Sequence, residues 1–168
     1  MIQSRQVFFA LLVVGVSSWS LLKAAPELWD NSLQKQAEAE LLSLHKEERR
    51  AHFEHDVNFF LAHVAPQLLD VRDGRVNRMS RDDVREKFAE YFKTAKFSAW
   101  DDMEPPIVRV SADGTMGWMI VRVRIAYTEN EKAGETTNEN TVGAWMSAYE
   151  KQNGIWTMTA VTSTFPED

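Results

Sequence analysis

The chain has 168 residues, which suffice for one domain with a sizeable hydrophobic core and are too few for two ordinary domains. Its 19 basic and 25 acidic residues give a net charge of −6, which disfavours nucleic acids as partners, because proteins that neutralise phosphates carry a basic patch. No cysteine occurs, so disulfides, thiol chemistry and a lipid-modified N-terminal cysteine are excluded.

The first 25 residues have the pattern of an export segment. Arg5 precedes an uninterrupted apolar run, residues 7–16. This run is shorter than the roughly 20 residues of a membrane-spanning helix and long enough for the apolar region of a secretory signal. We expect a signal peptide over residues 1–25 and a periplasmic or extracellular mature protein. The alternative is an uncleaved anchor, in which residues 7–22 are the only membrane contact.

Residues 31–63 contain neither glycine nor proline and are rich in good helix formers. Two apolar stripes with helical spacing differ in phase, and a highly charged stretch separates them. This pattern predicts a helical spacer over residues 26–46, followed by a domain over residues 47–168. The first helix of the domain is expected to begin near Glu47 and to end before Pro66, since proline disfavours helix in the residue before it.

The rest of the domain is punctuated by turn signals. Asp73-Gly74, Asp113-Gly114 and Asn153-Gly154 each follow and precede apolar or β-branched residues, a pattern typical of tight hairpin turns. Between the first two turns, Ser80 is predicted to cap a helix that fades near Ala95.

Loops and strands complete the prediction. Residues 100–106, which contain two prolines, are predicted as a loop, and residues 129–138 as a polar hairpin loop. Strands are predicted over residues 107–110, 115–127, 141–150 and 155–165, with Gly117 marking a bulge or bend. Strands joined by short turns pair as antiparallel neighbours, so the helices should cover one face of an antiparallel sheet.

This order of elements resembles the nuclear transport factor two-like superfamily of cystatin-like α+β cones, and in particular its SnoaL-like branch. The resemblance covers residues 47–165 and depends on Ala51-His52 with Asp56, on the segment Ser80–Val84, and on Asn153–Trp156. It implies an α+β fold in which a curved antiparallel sheet wraps around N-terminal helices and leaves a pocket open at one end. It also implies a homodimer formed through the outer face of the sheet.

The resemblance does not fix a function, because the same fold serves many chemistries. Members include ketosteroid isomerase, scytalone dehydratase, limonene epoxide hydrolase and polyketide cyclases, together with binding domains that have no catalytic activity. Many SnoaL-like members carry a histidine in the last strand. Here no histidine follows His63, so that catalytic role has no counterpart.

The candidate acid–base residues are His52, Asp56 and Asp102. His52 and Asp56 lie four positions apart, so on a helix they would share a face and could form a hydrogen-bonded pair. The alternatives are a pair on the helix surface, or a His-Asp contact that fixes the helix against the sheet. Asp102 follows Trp100 and Asp101 in the predicted loop, where a carboxylate in an apolar pocket could act as an acid or base, or where both aspartates could simply form a turn.

The ligand pocket is expected to combine aromatic and apolar side chains of the first domain helix, the loop and the long strand. The expected lining residues are Phe53, Phe60, Trp100, Asp101, Met119, Val121 and Tyr127. Alternation along that strand places Met119, Val121, Val123 and Ile125 toward the helices and Arg122 and Arg124 on the outer face.

Three functions remain open from the sequence. The first is an exported small-molecule-binding or accessory domain without catalysis, taking a small apolar or amphipathic ligand. The second is a lyase, isomerase or hydrolase that uses pocket carboxylates or a His-Asp pair and no cofactor. The third is a homodimeric protein-interaction module tethered by the spacer helix, residues 33–44. The four histidines lack a metal-binding spacing such as HExxH, so no metal is expected.

Overall fold

The computed structural model describes residues 31–130 and 136–166. The predicted export segment, residues 1–25, lies outside the described residues. Within the described part of the chain, no helix combines the length and apolar character needed to cross a membrane.

The described residues form three helices, α1 (Ser32–Glu54), α2 (Val57–Ala62) and α3 (Arg81–Thr94). His55 ends α1 in the left-handed conformation, with φ at 56°. The Asp56 carboxylate then accepts a hydrogen bond from the backbone N–H of Phe59 and caps α2. The helix predicted to reach Pro66 is therefore broken at His55, and strand β1 begins at Val64.

In the part of the chain that the structure describes, seven strands form one large curved sheet. Their bounds are β1 (Val64–Arg72), β2 (Arg75–Ser80), β3 (Ala95–Asp102), β4 (Ile107–Val110), β5 (Met116–Asn130), β6 (Thr136–Gln152) and β7 (Ile155–Thr164). Their order is β2-β1-β7-β6-β5-β3, with β4 also paired to β5. The three predicted glycine turns are confirmed, since Gly74, Gly114 and Gly154 all have positive φ. The predicted polar loop is shorter than expected, because β5 and β6 extend into it on both sides.

The sheet is mixed, whereas the sequence predicted an antiparallel one. All neighbouring strands are antiparallel except β1 and β7, which run parallel. The last strand passes beside the first hairpin, and the backbone N–H of Met158 donates to the carbonyl of His63 over 2.8 Å. Register between β1 and β7 shifts between Val64 and Leu69, which accommodates Pro66 inside a paired strand.

Strand β3 begins at Ala95, where the predicted helix was expected to fade, and extends over residues 100–102 of the predicted loop. It pairs with β5 from Ala95 to Asp102, with a register shift between Phe97 and Ala99. This irregularity breaks the alternation of apolar and polar residues that would have identified a strand in the sequence.

The first half of α1 belongs to the core of the domain and is continuous with the second half. Ala37 and Leu41 are buried, and a Cβ atom at Gly117 would lie only 2.9 Å from Cδ1 of Leu41. Gly117 thus permits close contact between helix and sheet, and the bulge predicted there is not formed, because β5 keeps its register on both sides. The described part of the segment predicted as a spacer or tether therefore packs on the sheet through Ala37 and Leu41.

Alternation along β5 is confirmed. Met119, Val121, Val123 and Ile125 are buried toward the helices. Trp118, Ile120, Arg122 and Arg124 are exposed on the outer face.

Candidate functional site

A cavity of about 410 Å³ lies between the inner face of the sheet and the helices. Its walls include residues from α1, α2 and α3 and from every strand except β4, so the whole fold positions it. The apolar part of the lining includes Leu44, Phe59, Phe60, Val64, Leu68, Met79, Val84, Phe88, Ile125, Met158, Val161 and Phe165. This volume is in the range of small-molecule sites, roughly 300–1,000 Å³.

His52 lines the cavity inside an aromatic cage. Its side chain is 4 % exposed and stacks on Trp100, with ring centroids 3.6 Å apart and planes 23° apart. Four phenylalanine rings approach it edge-on, with centroid distances from 4.9 Å to 6.2 Å, namely Phe60, Phe88, Phe92 and Phe97. The ring is therefore fixed in one orientation.

The hydrogen bonding of His52 determines which nitrogen carries the proton. Nδ1 lies 2.8 Å from the backbone carbonyl oxygen of Glu48. Because a carbonyl oxygen can only accept, Nδ1 donates and Nε2 keeps its lone pair in the neutral ring. Burial lowers the pKa of His52 more than the nearby Glu48 raises it, so the neutral form dominates near neutral pH. Among the described residues, Nε2 has no hydrogen-bond partner.

Glu48 supplies a carboxylate to the same cavity. Its side chain is 15 % exposed, and Oε2 lies 3.9 Å from Nδ1 of His45, which is too long for a hydrogen bond. Burial and, to a lesser extent, the negative charge of Glu48 raise the pKa of the buried Tyr149. A carboxylate, a neutral imidazole and a tyrosine hydroxyl thus lie around one apolar space.

Asp102 does not join this group. Its Oδ1 lies 2.8 Å from Nε2 of His45, which faces the end of β3. Burial alone would lower the pKa of His45, but the nearby carboxylates of Glu48 and Asp102, the latter through its hydrogen bond, outweigh burial and raise the pKa. Asp102 therefore holds α1 against β3 and is not a wall of the cavity.

The predicted pair of His52 with Asp56 is not formed either. The two residues lie on opposite sides of the break at His55, and Asp56 is occupied by the cap of α2. The predicted acid–base residues are consequently distributed over three places, namely the cavity for His52, the α2 cap for Asp56 and the α1–β3 contact for Asp102.

Of the seven residues predicted to line the pocket, Phe60, Trp100 and Tyr127 do so. Phe53 is 37 % exposed and packs under the guanidinium of Arg49, and Asp101 pairs on the surface with Arg49 and Arg124. Met119 and Val121 are fully packed core residues, 1 % and 2 % exposed. These four are corrected from lining residues to surface or core residues.

A charged cluster borders another part of the cavity. Asp70 is 4 % exposed and accepts from Arg72, whose Nη2 lies 2.6 Å from Oδ2, while Nζ of Lys87 lies 3.8 Å from the same oxygen. Burial and the charge of Arg72 lower the pKa of Lys87. All three residues contribute to the cavity wall. Because Arg72 and Lys87 are cations and Asp70 is an anion, the cluster has one more cation than anion.

Sequence reasoning missed His45 and Glu48, which were assigned to a separate charged stretch and its flank. The spacing of these residues along the helix places them on its buried face. Positions 37, 41, 45, 48 and 52 follow one another at spacings of four, four, three and four, so His45, Glu48 and His52 continue the buried stripe that begins with Ala37 and Leu41.

In the described part of the chain, no group of three histidine, cysteine or acidic side chains is arranged to hold a metal ion. In the cavity, His52, Glu48 and the tyrosines offer hydrogen bonding and proton transfer.

Solved structures with the same architecture decide the fold. An NTF2-like protein from Cytophaga hutchinsonii superimposes with a TM-score of 0.60 at 15% identity, covering 75% of this chain and 95% of that one. An NTF2-like protein of unknown function in nutrient uptake from Rhodospirillum rubrum gives a TM-score of 0.58 at 18% identity, with coverages of 74% and 96%. The chain has the nuclear transport factor two-like fold.

Another protein with this nuclear transport factor two-like architecture is ketosteroid isomerase-like and comes from Erwinia carotovora atroseptica. It is 20% identical, with a TM-score of 0.53, and the match covers 75% of this chain and 93% of that chain. No protein-family model matches the sequence, and no curated protein matches it. Membership of the SnoaL-like branch stays a prediction.

Proposed function

We propose that the domain binds a small, largely apolar molecule inside the cone. The observation that carries this proposal is the cavity of about 410 Å³ with its apolar walls. Protein interiors pack as densely as organic crystals and leave few voids larger than a water molecule. A space of this size is costly as a packing defect, and a bound molecule would restore the missing contacts.

The ligand is amphipathic on this proposal. The aromatic walls suit a flat apolar body, while Arg72 and Lys87 offer positive charge that Asp70 alone does not neutralise. A molecule with one anionic group would pair with these cations at the cavity wall.

A fluorescence titration with 1-anilinonaphthalene-8-sulfonate, an apolar aromatic with one negative charge, tests the proposal. Val161 lines the cavity, and its neighbour Thr162 pairs with the exposed Met146 on the opposite face of the sheet. Val161→Phe should fill part of the cavity and weaken binding at least tenfold, whereas Thr162→Phe should leave binding unchanged. Absence of saturable binding, or equal effects of both variants, would contradict the proposal.

A second candidate function is acid–base catalysis without a cofactor. It is favoured by the neutral His52 imidazole, whose Nε2 has no partner among the described residues, and by the Glu48 carboxylate in the same cavity. It no longer involves Asp56 or Asp102. Ketosteroid isomerisation, the activity in the name of one structural neighbour, provides a direct assay. Turnover that His52→Phe abolishes would support catalysis, and no turnover would favour binding alone.

We also propose that residues 1–25 direct export, on the basis of Arg5 and the apolar run after it. Expression of the full chain in a bacterial host, followed by fractionation, tests this. The mature protein should appear in the periplasm or the medium and should be shorter than the full chain. Retention of the full-length chain in the membrane fraction would instead support an uncleaved anchor.

We also propose that the protein forms a homodimer through the outer face of the sheet. Trp118, Ile120 and Met146 are 37 %, 36 % and 41 % exposed there, and Ile120 lies opposite Met146 in the β5–β6 register. Adjacent exposed apolar side chains are typical of protein interfaces. Light scattering after size-exclusion chromatography should show a dimer that Ile120→Glu dissociates. A monomer in both proteins would remove this part of the proposal.

A further inference from the structure

We propose that the bound molecule carries a hydroxyl group, such as a phenol, and that this group donates a hydrogen bond to Nε2 of His52. The inference deepens the proposed function, because it requires that a ligand occupies the cavity. It identifies the ligand class as hydroxylated aromatic compounds and His52 as the residue that determines specificity.

The contacts of His52 determine which ring nitrogen donates a hydrogen bond and which accepts one. Nδ1 is committed to the carbonyl of Glu48 over 2.8 Å, and the stack with Trp100 prevents the ring from turning over without breaking that bond. Nε2 is consequently the acceptor in the neutral ring.

This acceptor has no partner in the described part of the chain. His52 is 4 % exposed and lines the cavity, yet no described residue donates to Nε2. Unlike Nε1 of Trp100, which is unpartnered and completely enclosed, Nε2 is not sealed by protein atoms. A buried polar atom without a partner is costly. A ligand that donates a hydrogen bond to Nε2 from the cavity would therefore bind more tightly than one that does not.

The surroundings of His52 favour the neutral form of its ring. The groups that face His52 are the carboxylate of Glu48 and the imidazole of His45, and they act in opposite directions on its protonation. Phe60, Phe88, Phe92 and Phe97 surround the rest of the ring, and this apolar cage disfavours the imidazolium. An acceptor in such a site prefers a neutral donor, which a hydroxyl group is and an ammonium group is not.

An unpaired acceptor in the cavity makes the site selective for ligands that carry a hydroxyl group. A site built to pair with a hydroxyl group rejects an analogue that lacks the donor, because the protein atom is then left buried and unpaired. The aromatic rings around His52 add the preference for a flat aromatic body.

A pair of probes that differ only in the donor tests the inference. Affinities of 2-naphthol and its methyl ether, 2-methoxynaphthalene, are measured by fluorescence titration at neutral pH. The wild-type protein should bind 2-naphthol about tenfold more tightly, which is the effect of one net hydrogen bond. His52→Phe should bind both equally. The control Ser147→Ala, which removes an enclosed hydroxyl from a residue of the cavity wall, should retain the preference.

Nitrogen NMR of the wild-type protein provides a measurement that does not depend on a variant folding. The Nε2 resonance of His52 should be that of an unprotonated nitrogen and should shift on addition of 2-naphthol but not of the ether. Equal wild-type affinities, or a preference that survives His52→Phe, would overturn this inference while leaving the cavity as a binding site. Binding of neither compound would overturn this inference, and the titration with 1-anilinonaphthalene-8-sulfonate decides the cavity function separately.

Discussion

His45 and Asp102 join the middle of α1 to the end of β3 through a hydrogen bond of 2.8 Å between Nε2 and Oδ1. His45 is 4 % exposed, so this contact ties the interior of the domain to the sheet edge. The neighbouring acids raise the pKa of His45 despite its burial. The stabilisation from this charge is therefore complete below the pKa of an unfolded histidine, about 6.5, and disappears as the pH rises through the higher folded value.

Asp102→Asn should accordingly destabilise the protein more in mild acid than in mild alkali. The amide can still accept a hydrogen bond, but it cannot compensate the charge of protonated His45. Urea unfolding at about pH 5.5 and about pH 8.5, on either side of the ordinary histidine pKa, measures the difference. Asp101→Asn is the matched control, because Asp101 pairs with Arg49 and Arg124 and not with a histidine. An equal loss of stability at both values would contradict the role assigned to the charge.

His52→Phe should have the opposite dependence on pH. The pKa of His52 is lowered by burial, so the stability that it contributes is complete above about 6.5 and is lost as the pH falls through the folded value. Phenylalanine avoids the cost of protonating a buried imidazole and can keep the stack on Trp100. We expect the variant to lose less stability than the wild type between neutral pH and mild acid. A steeper loss in the variant would show that His52 is charged in the folded state.

Glu40 tests whether the first half of α1 belongs to the domain. Its Oε2 accepts from Nε1 of the buried Trp156 over 2.9 Å and also pairs with Lys151. Glu40→Ala leaves the indole N–H without this partner and should cost about 1–3 kcal/mol in the free energy of unfolding. Glu40→Gln keeps an acceptor and loses only a partly exposed ion pair, so it should cost less than about 1 kcal/mol. Thermal unfolding of both variants measures the difference, and a separate spacer helix would show no effect of either.

Gly117→Ala probes the contact between α1 and the sheet. The added Cβ would lie 2.9 Å from Cδ1 of Leu41 and 3.0 Å from the carbonyl oxygen of Arg109. Overpacking of this kind typically costs about 1–3 kcal/mol in the free energy of unfolding. In a Leu41→Ala background the side-chain clash is removed, so the same substitution should cost less. If the effects of Gly117→Ala and Leu41→Ala on the free energy of unfolding are strictly additive, Leu41 is not in close contact with position 117.

Local signals in the sequence predicted much of the fold. The Asp-Gly and Asn-Gly turns and the cap at Ser80 depend on residues next to each other in the chain, and the structure forms all of them. Strand β3 was missed because its register shift disrupts the alternating pattern. The parallel pairing of β1 with β7 was missed because it depends on packing between distant segments, which adjacent residues do not encode.

The cavity was predictable as a consequence of the fold, but its polar residues were predictable only in part. His52 was identified, but with Asp56 as its partner, because the spacing of four residues assumed an unbroken helix past His55. Glu48 was passed over because its neighbours are charged and exposed. Its inward direction depends on the phase of the whole of α1, which becomes evident only when the helix is continuous from Ser32.

The pairing of the first strand with the last also governs when the domain can fold. Nδ1 of His63 donates to the carbonyl of Trp156, 93 positions further along the chain. Without β7, β1 has only its hairpin partner β2, and the sheet remains open between β1 and β6. The sheet can therefore close only after segments far apart in the chain have met, and contacts this distant in sequence favour slow folding over rapid local collapse.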